Sequence, residues 1–201
     1  MLRRIAPLLL PFVWVACGGG TPPAESPAPK TEPTSEEPEK KPEAPAASEE
    51  KKAPPAPVEL TLEAKSGSKL AGKAKLEAVE GGVKVSIEVS GVSPGAHGAH
   101  VHEKGDCSSA DGKSAGDHFN PGGHQHGMPP GETRHLGDLG NLDVQKNGEG
   151  KLEITIVGAN LEADDPHSFL GRAIIIHEKK DDGGQPTGNA GGRIGCGVIK
   201  R

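Results

Sequence analysis

The chain has no tyrosine, one tryptophan and three phenylalanines in 201 residues. Aromatic surface on which bases could stack is therefore missing, and lysine and arginine form no stripe. Both absences argue against a nucleic-acid partner. No apolar stretch approaches the roughly 20 residues of a membrane-spanning helix. The run Leu8 to Val15 falls well short of that. Nor is a helical period sustained anywhere, which argues against a helix bundle. Positive charge is also scarce. Residues 58–201 carry 20 acidic against 16 basic side chains, a formal charge of −4. A domain of that sign acting on an anion needs a local positive focus, because its overall field repels the substrate.

What is present divides the chain into three parts. Residues 1–16 read as a signal peptide, with Arg3 and Arg4 ahead of a short apolar stretch. The segment ends Val15-Ala16-Cys17, followed by three glycines. It resembles the lipobox of bacterial lipoproteins, with Trp14 where such boxes usually carry leucine. The resemblance implies lipidation of Cys17 and a membrane anchor in the periplasm or cell envelope; a cleaved signal with a soluble product is the alternative. Residues 17–57 hold 11 of the 19 prolines and are rich in Ala, Glu and Lys. Too little apolar surface is available there to offset chain entropy, so this linker is expected to be disordered. Its extended reach would be about 120 Å at the polyproline rise of about 3.1 Å per residue.

Residues 58–201 read as one all-β domain. Val58, Leu60 and Leu62 alternate with polar residues, as do Val83, Val85, Ile87 and Val89. Lys73 to Val79 is a further strand, and Gly81-Gly82 after it predicts a hairpin. Other strands are expected at Ala99–Glu103, Gly140–Gln145, Leu152–Val157, Ala173–His177 and Val198–Lys200. The apolar run Ile174-Ile175-Ile176 fits a fully buried strand. The sum is an antiparallel sandwich or barrel of about eight strands. Two long irregular stretches, Gly105–Leu136 and Glu178–Arg193, are dense in Gly, His and Asp, and loops of that length usually carry function.

Seven of the nine histidines lie between His97 and His135. His100 and His102 are two apart on a predicted strand, so both rings can face one ion. His118, His126, His135 and Asp138 follow at offsets of 8, 17 and 20, in a loop able to fold around a second ion. His177 ends the buried strand and could return to the first. Imidazole suits copper and zinc, and a set containing a carboxylate suits zinc. Of three cysteines, Cys17 closes the leader while Cys107 and Cys196 lie in the domain. Export to an oxidising compartment would allow these two to pair; three free thiols is the plain alternative.

The runs Gly95-Ala96-His97-Gly98-Ala99-His100-Val101-His102-Glu103 and Gly191-Gly192-Arg193-Ile194-Gly195-Cys196-Gly197-Val198-Ile199 resemble the two signatures of copper/zinc superoxide dismutases. Between them Gly116-Asp117-His118-Phe119-Asn120-Pro121, Arg134 to Asn141, Gly171-Arg172 and Ile176-His177-Glu178 match in family order. The resemblance implies a Greek-key β-barrel and an enzyme that dismutes superoxide to dioxygen and hydrogen peroxide by Cu(II)/Cu(I) cycling. It implies one copper per chain on His100, His102, His118 and His177, and one zinc on His118, His126, His135 and Asp138, with His118 bridging. It further implies a Cys107–Cys196 disulfide, Arg193 as the group that attracts superoxide, and His118 as a proton donor. Asp181 would link ligands of the two metals, though neighbouring Asp182 could serve. His97 is expected to be a hydrogen-bonded structural residue, and His124 and His167 to be exposed. Superoxide is the expected partner, and a homodimer stays open. The competing reading is a periplasmic copper- and zinc-binding lipoprotein without turnover. The 178–193 loop is shorter than in familiar animal members, and the stretch from Cys107 to His118 is longer.

Overall fold

The computed structural model describes residues 55–201. The signal peptide 1–16, Cys17 and nearly all of the linker 17–57 lie outside the described residues. Eight strands follow in order: β1 (Val58–Ala64), β2 (Ala71–Val79), β3 (Gly82–Ser90), β4 (Gly95–His102), β5 (Asp138–Val144), β6 (Gly150–Val157), β7 (Ala173–His177) and β8 (Arg193–Val198). Every pairing between them is antiparallel, and the sheet closes on itself in the order β1-β2-β3-β6-β5-β4-β7-β8. The expected Greek-key barrel is therefore found.

Alternation explains most of it. Val83, Val85, Ile87 and Val89 are buried in the barrel interior between the more exposed Lys84, Ser86 and Glu88. At the predicted hairpin Val79 pairs with Gly82, and Gly81 takes φ 74°, a left-handed turn conformation that costs glycine nothing. β7 breaks the alternation because both of its faces are covered. Ile174 and Ile176 join the central core, while Ala173 and Ile175 pack outside with Ala115 and the disulfide cysteines. That is why its sequence is almost continuously apolar.

β2, β5 and β6 begin two residues earlier than expected, and two strands differ more. β4 begins at Gly95 rather than Ala99, and β8 runs over Arg193–Val198 rather than 198–200. Both differences lie in glycine-rich sequence, which reads as turn. In β8 the glycines are there because the neighbouring strand presses close. A Cβ on Gly197 would sit 2.5 Å from Leu60 Cδ1 and 2.6 Å from Thr61 O, and one on Gly195 would sit 2.8 Å from Leu70 Cδ1. β8 closes the barrel against β1, so its missing side chains are what allow closure. The long loops are 103–137 (with a short 3-10 turn at Lys113–Ala115), 158–172 and 178–192.

Gly197→Ala is expected to lower stability by about 1–3 kcal/mol through overpacking. A urea titration would show this as a lower midpoint with an unchanged slope. An unchanged midpoint would mean that the seam has slack.

Candidate metal centre

The site is built on the outside of the barrel, where loops 103–137 and 178–192 cover β4 and β7. In β4, Ala99 and Val101 point into the core, so His100 and His102 point outward under the loops, where both are fully buried. Register irregularities fall between Ala99 and His100, opposite β5, and between Ile176 and His177, opposite β8. Such bulges re-aim side chains beside functional sites. His118 enters from the 103–137 loop, pinned by an isolated bridge to His102. Its neighbour Phe119 donates its amide to Val101 O at 2.8 Å and carries Arg172 over its ring at 4.2 Å.

Four imidazoles converge first. His100, His102, His118 and His177 offer ring nitrogens that all lie within 4.8 Å of one another. The remaining nitrogens are spoken for. His100 Nε2 donates to Asp181 Oδ2 at 2.7 Å, His102 Nδ1 to Gly116 O at 2.9 Å and His177 Nδ1 to Gly191 O at 3.3 Å. A neutral imidazole that donates through one nitrogen carries a lone pair on the other. His100 Nδ1, His102 Nε2 and His177 Nε2 are those nitrogens, and each is buried with no hydrogen-bond partner.

The second group gathers around one oxygen. The Nδ1 atoms of His118, His126 and His135 lie 3.1, 3.1 and 3.2 Å from Asp138 Oδ1, and His135 Nδ1 is 3.4 Å from His118 Nδ1. The other carboxylate oxygen, Oδ2, accepts the Gly127 and His135 amides at 3.1 and 2.9 Å. His126 Nε2 donates to Asp181 Oδ1 at 3.0 Å, so its Nδ1 presents a lone pair to a carboxylate and has no partner. Lone pair against carboxylate is repulsive unless a cation lies between them. A tetrahedron with metal–ligand bonds of about 2.0–2.1 Å has edges of about 3.3–3.4 Å, close to these separations. His100 also approaches this group, but its Nε2 is bonded to Asp181 and its free Nδ1 belongs to the first. His118 is shared, with Nδ1 on the Asp138 side and Nε2 left for the other.

One carboxylate joins the two. Asp181, 1% exposed, accepts from His100 with one oxygen and from His126 with the other. Asp182, its sequence neighbour, is exposed and instead accepts from Gly184 N and Asn189 Nδ2. The structure therefore selects Asp181 for the linking position. Asn141 exchanges two hydrogen bonds with the Asp181 backbone, at 2.9 and 2.8 Å. The sequence reading missed that role for Asn141, although the residue lay within a matching motif; a lone polar side chain in a buried strand was the available signal. His97 also behaves structurally, with Nδ1 2.9 Å from His177 O and Nε2 2.9 Å from Ser93 O. His124 and His167 are exposed and apart from the cluster.

Arg193, the first residue of β8, reaches over the disulfide loop. Its Nη1 donates to Gly112 O at 2.9 Å and its Nη2 to Gly116 O at 2.7 Å. Gly116 O also accepts from His102, so one carbonyl ties the guanidinium to the first cluster. Cys107 and Cys196 are joined in a disulfide spanning 89 residues of sequence, fixing this loop to β8.

Burial sets the electrostatics. It holds the His100 and His102 rings well below the usual imidazole range, with His118 adding to the effect. His177 is pushed down to about 4, against the hydrogen bond to Gly191 O, and burial lowers His135 as well. These rings are neutral at pH 7, as ligands must be. Burial works against the Asp138 carboxylate, but hydrogen bonds from His118 and Gly127 outweigh it and hold its pKa below the usual value. Burial lowers the Arg193 pKa while Asp117 and Asp111 raise it, and the group stays cationic.

A closed antiparallel barrel with two adjoining imidazole clusters, tied by a disulfide-bound loop, defines a metal-binding β-barrel protein. Residues 70–199 match the family described as copper/zinc superoxide dismutase. The chain belongs to that family, which binds copper and zinc. A solved structure described as that of the clock protein EA4 is similar, at 39% identity and TM-score 0.65, over 73% of this chain and 94% of that one.

The lowered imidazoles have a consequence for the metal-free protein. Their folded pKa values lie below the unfolded value of about 6.5, so the unfolded chain binds more protons between the two. Stability is then full above about pH 6.5 and falls as the pH drops toward about 4, the value for His177. Thermal melts of chelator-stripped protein from pH 8 to 4 should show the decline. A flat profile through that window would refute the neutral cluster.

Proposed function

We propose that the chain is a superoxide dismutase, converting two superoxide ions and two protons to dioxygen and hydrogen peroxide. Copper would be held by His100, His102, His118 and His177, and zinc by His118, His126, His135 and Asp138. The observation that carries this reading is the set of orphaned lone pairs, His100 Nδ1, His102 Nε2 and His177 Nε2, converging on one point. Imidazole donors suit copper, and three imidazoles with a carboxylate suit zinc. Bound copper supplies the one-electron exchange that the reaction requires and that zinc lacks.

The chain's own groups do the rest. Arg193 offers a planar cation whose aim is fixed by two carbonyls, which suits a diatomic anion better than a mobile ammonium. His118 belongs to both clusters, and its Nε2, whenever it is free of metal, would hold a proton and release it to departing peroxide. Asp181 keeps the His100 and His126 rings in the tautomers that present lone pairs inward. Export and a lipid on Cys17 belong to the same proposal. The leader pattern supports both, and the disulfide supports export, since such a bond persists in oxidising compartments.

The copper- and zinc-loaded full chain is expected to remove superoxide in a pulse-radiolysis or cytochrome-competition assay. Arg193→Ala should lower that rate about tenfold or more and flatten its salt dependence, since a steering charge is lost, with both metals still present by elemental analysis. Fully metallated protein that leaves superoxide untouched would support the metal-buffering reading instead. For the anchor, cells fed a labelled fatty acid should label the wild-type protein, and Cys17→Ser should abolish the label and release the protein from the membrane fraction. Label persisting in that variant would rule out Cys17 as the attachment point.

A further inference from the structure

The turn after β1 carries the β1–β8 pairing one residue further and adds side-chain contacts beyond it. Lys65 is a lysine with only 10% of its side chain exposed. Its ammonium donates to Cys107 O at 2.6 Å, and its stem lies against Gly112, with Cγ 3.7 Å from where a Cβ would stand. Ser66 follows in the left-handed region, φ 52°, a conformation unusual for a residue with a side chain. Both of its donors are used: the amide donates to Ala110 O at 2.7 Å and the hydroxyl to Arg193 O at 2.9 Å. Two further bonds run to the residue after the arginine, from Lys65 N to Ile194 O at 2.9 Å and from Ser68 Oγ to the same oxygen at 2.6 Å.

The turn thus grips two things at once. One is the backbone of Arg193 and Ile194. The other is the 107–112 stretch, which ends at the carbonyl that holds the guanidinium. The disulfide joins the same loop to β8, but at Cys107, five residues before Gly112. Bonds between Ser109, Ser114 and Asp106 brace that stretch internally, but they do not tie it to β8, so it is the Lys65–Ser66 turn that holds it against the strand carrying Arg193.

We infer that Lys65 and Ser66 are positioning residues for Arg193, a clamp that fixes the guanidinium relative to the metal clusters. The inference rests on the reading of Arg193 as the anion-binding group. Neither residue touches the anion; each acts through the arginine and the carbonyls that aim it.

The test uses azide, a small anion, titrated onto the copper- and zinc-loaded full chain and followed by its charge-transfer absorption. Lys65→Met keeps the apolar stem and removes the ammonium; Ser66→Ala removes one hydroxyl and no charge. Misaiming the guanidinium should weaken azide binding by about three- to tenfold in Lys65→Met. A smaller loss in the same direction is expected in Ser66→Ala. Both losses should persist in 0.5 M salt, where long-range attraction is screened. Variants that melt earlier but bind azide like the wild type would reduce the turn to a structural role and overturn the inference. A loss in Lys65→Met that vanishes in salt would overturn it too, since charge and not position would then be responsible. Should Lys65→Met fail to fold, Ser66→Ala decides, and unchanged azide affinity there refutes the clamp. Wild-type protein that binds azide without removing superoxide would defeat the proposed reaction, while the two variants would still report on the clamp.

Discussion

Buried ring nitrogens that carry lone pairs and face one another organise this molecule. A buried polar group without a partner costs about 1–3 kcal/mol, and a domain of this kind has only about 5–15 kcal/mol of stability in total. Here His100 Nδ1, His102 Nε2, His126 Nδ1 and His177 Nε2 are all in that condition, within two adjoining clusters. The arrangement is not an accident of packing, because each ring's other nitrogen is tied to an acceptor that dictates the tautomer. Asp181 serves His100 and His126, Gly116 serves His102, and Gly191 serves His177. The hydrogen bonds around the clusters have one effect in common: they turn lone pairs inward, toward where a cation would sit.

The barrel makes this tolerable by separating two tasks along single strands. β4 sends Ala99 and Val101 into the apolar interior and His100 and His102 outward; β7 sends Ile174 and Ile176 inward and ends on His177. Strand alternation therefore mounts the ligands on the stiffest part of the fold, while the loops supply the remaining donors and the lid. His118, His126 and His135 come from loop 103–137, and what keeps that loop in place is distributed: the disulfide, the Arg172–Phe119 contact and the Gly116 carbonyl bonds.

Much of this was readable in advance. Alternation marked β1 and β3, and the isoleucine run marked β7 to the residue, because burial on one or both faces writes directly into the order of side chains. The histidine spacing, with the motifs around it, picked out the residues that the structure brings together. Less legible were the glycine-rich strands. Gly195 and Gly197 look like a turn until the closeness of Leu60, Thr61 and Leu70 is known, and that closeness belongs to the closed barrel rather than to the local chain. The resemblance pointed to Asp181, but nothing in the local sequence excluded Asp182. Adjacent residues on a loop point different ways, and it is the Asn141 side chain, 40 positions away, that fixes which one turns inward.

Charge bears on the proposed reaction through the difference between the two clusters. A divalent ion among four neutral imidazoles keeps its positive charge, whereas one beside Asp138 is partly neutralised. The carboxylate stands in the second cluster, the one proposed for zinc, and Arg193 beside the first, sharing the Gly116 carbonyl with His102. Asp117 and Asp111 lie close enough to raise the arginine's pKa, so acidic groups crowd even this corner. Against a background of −4 over the domain, the guanidinium is a fixed positive charge beside the first cluster, the local focus that an acidic domain acting on an anion requires.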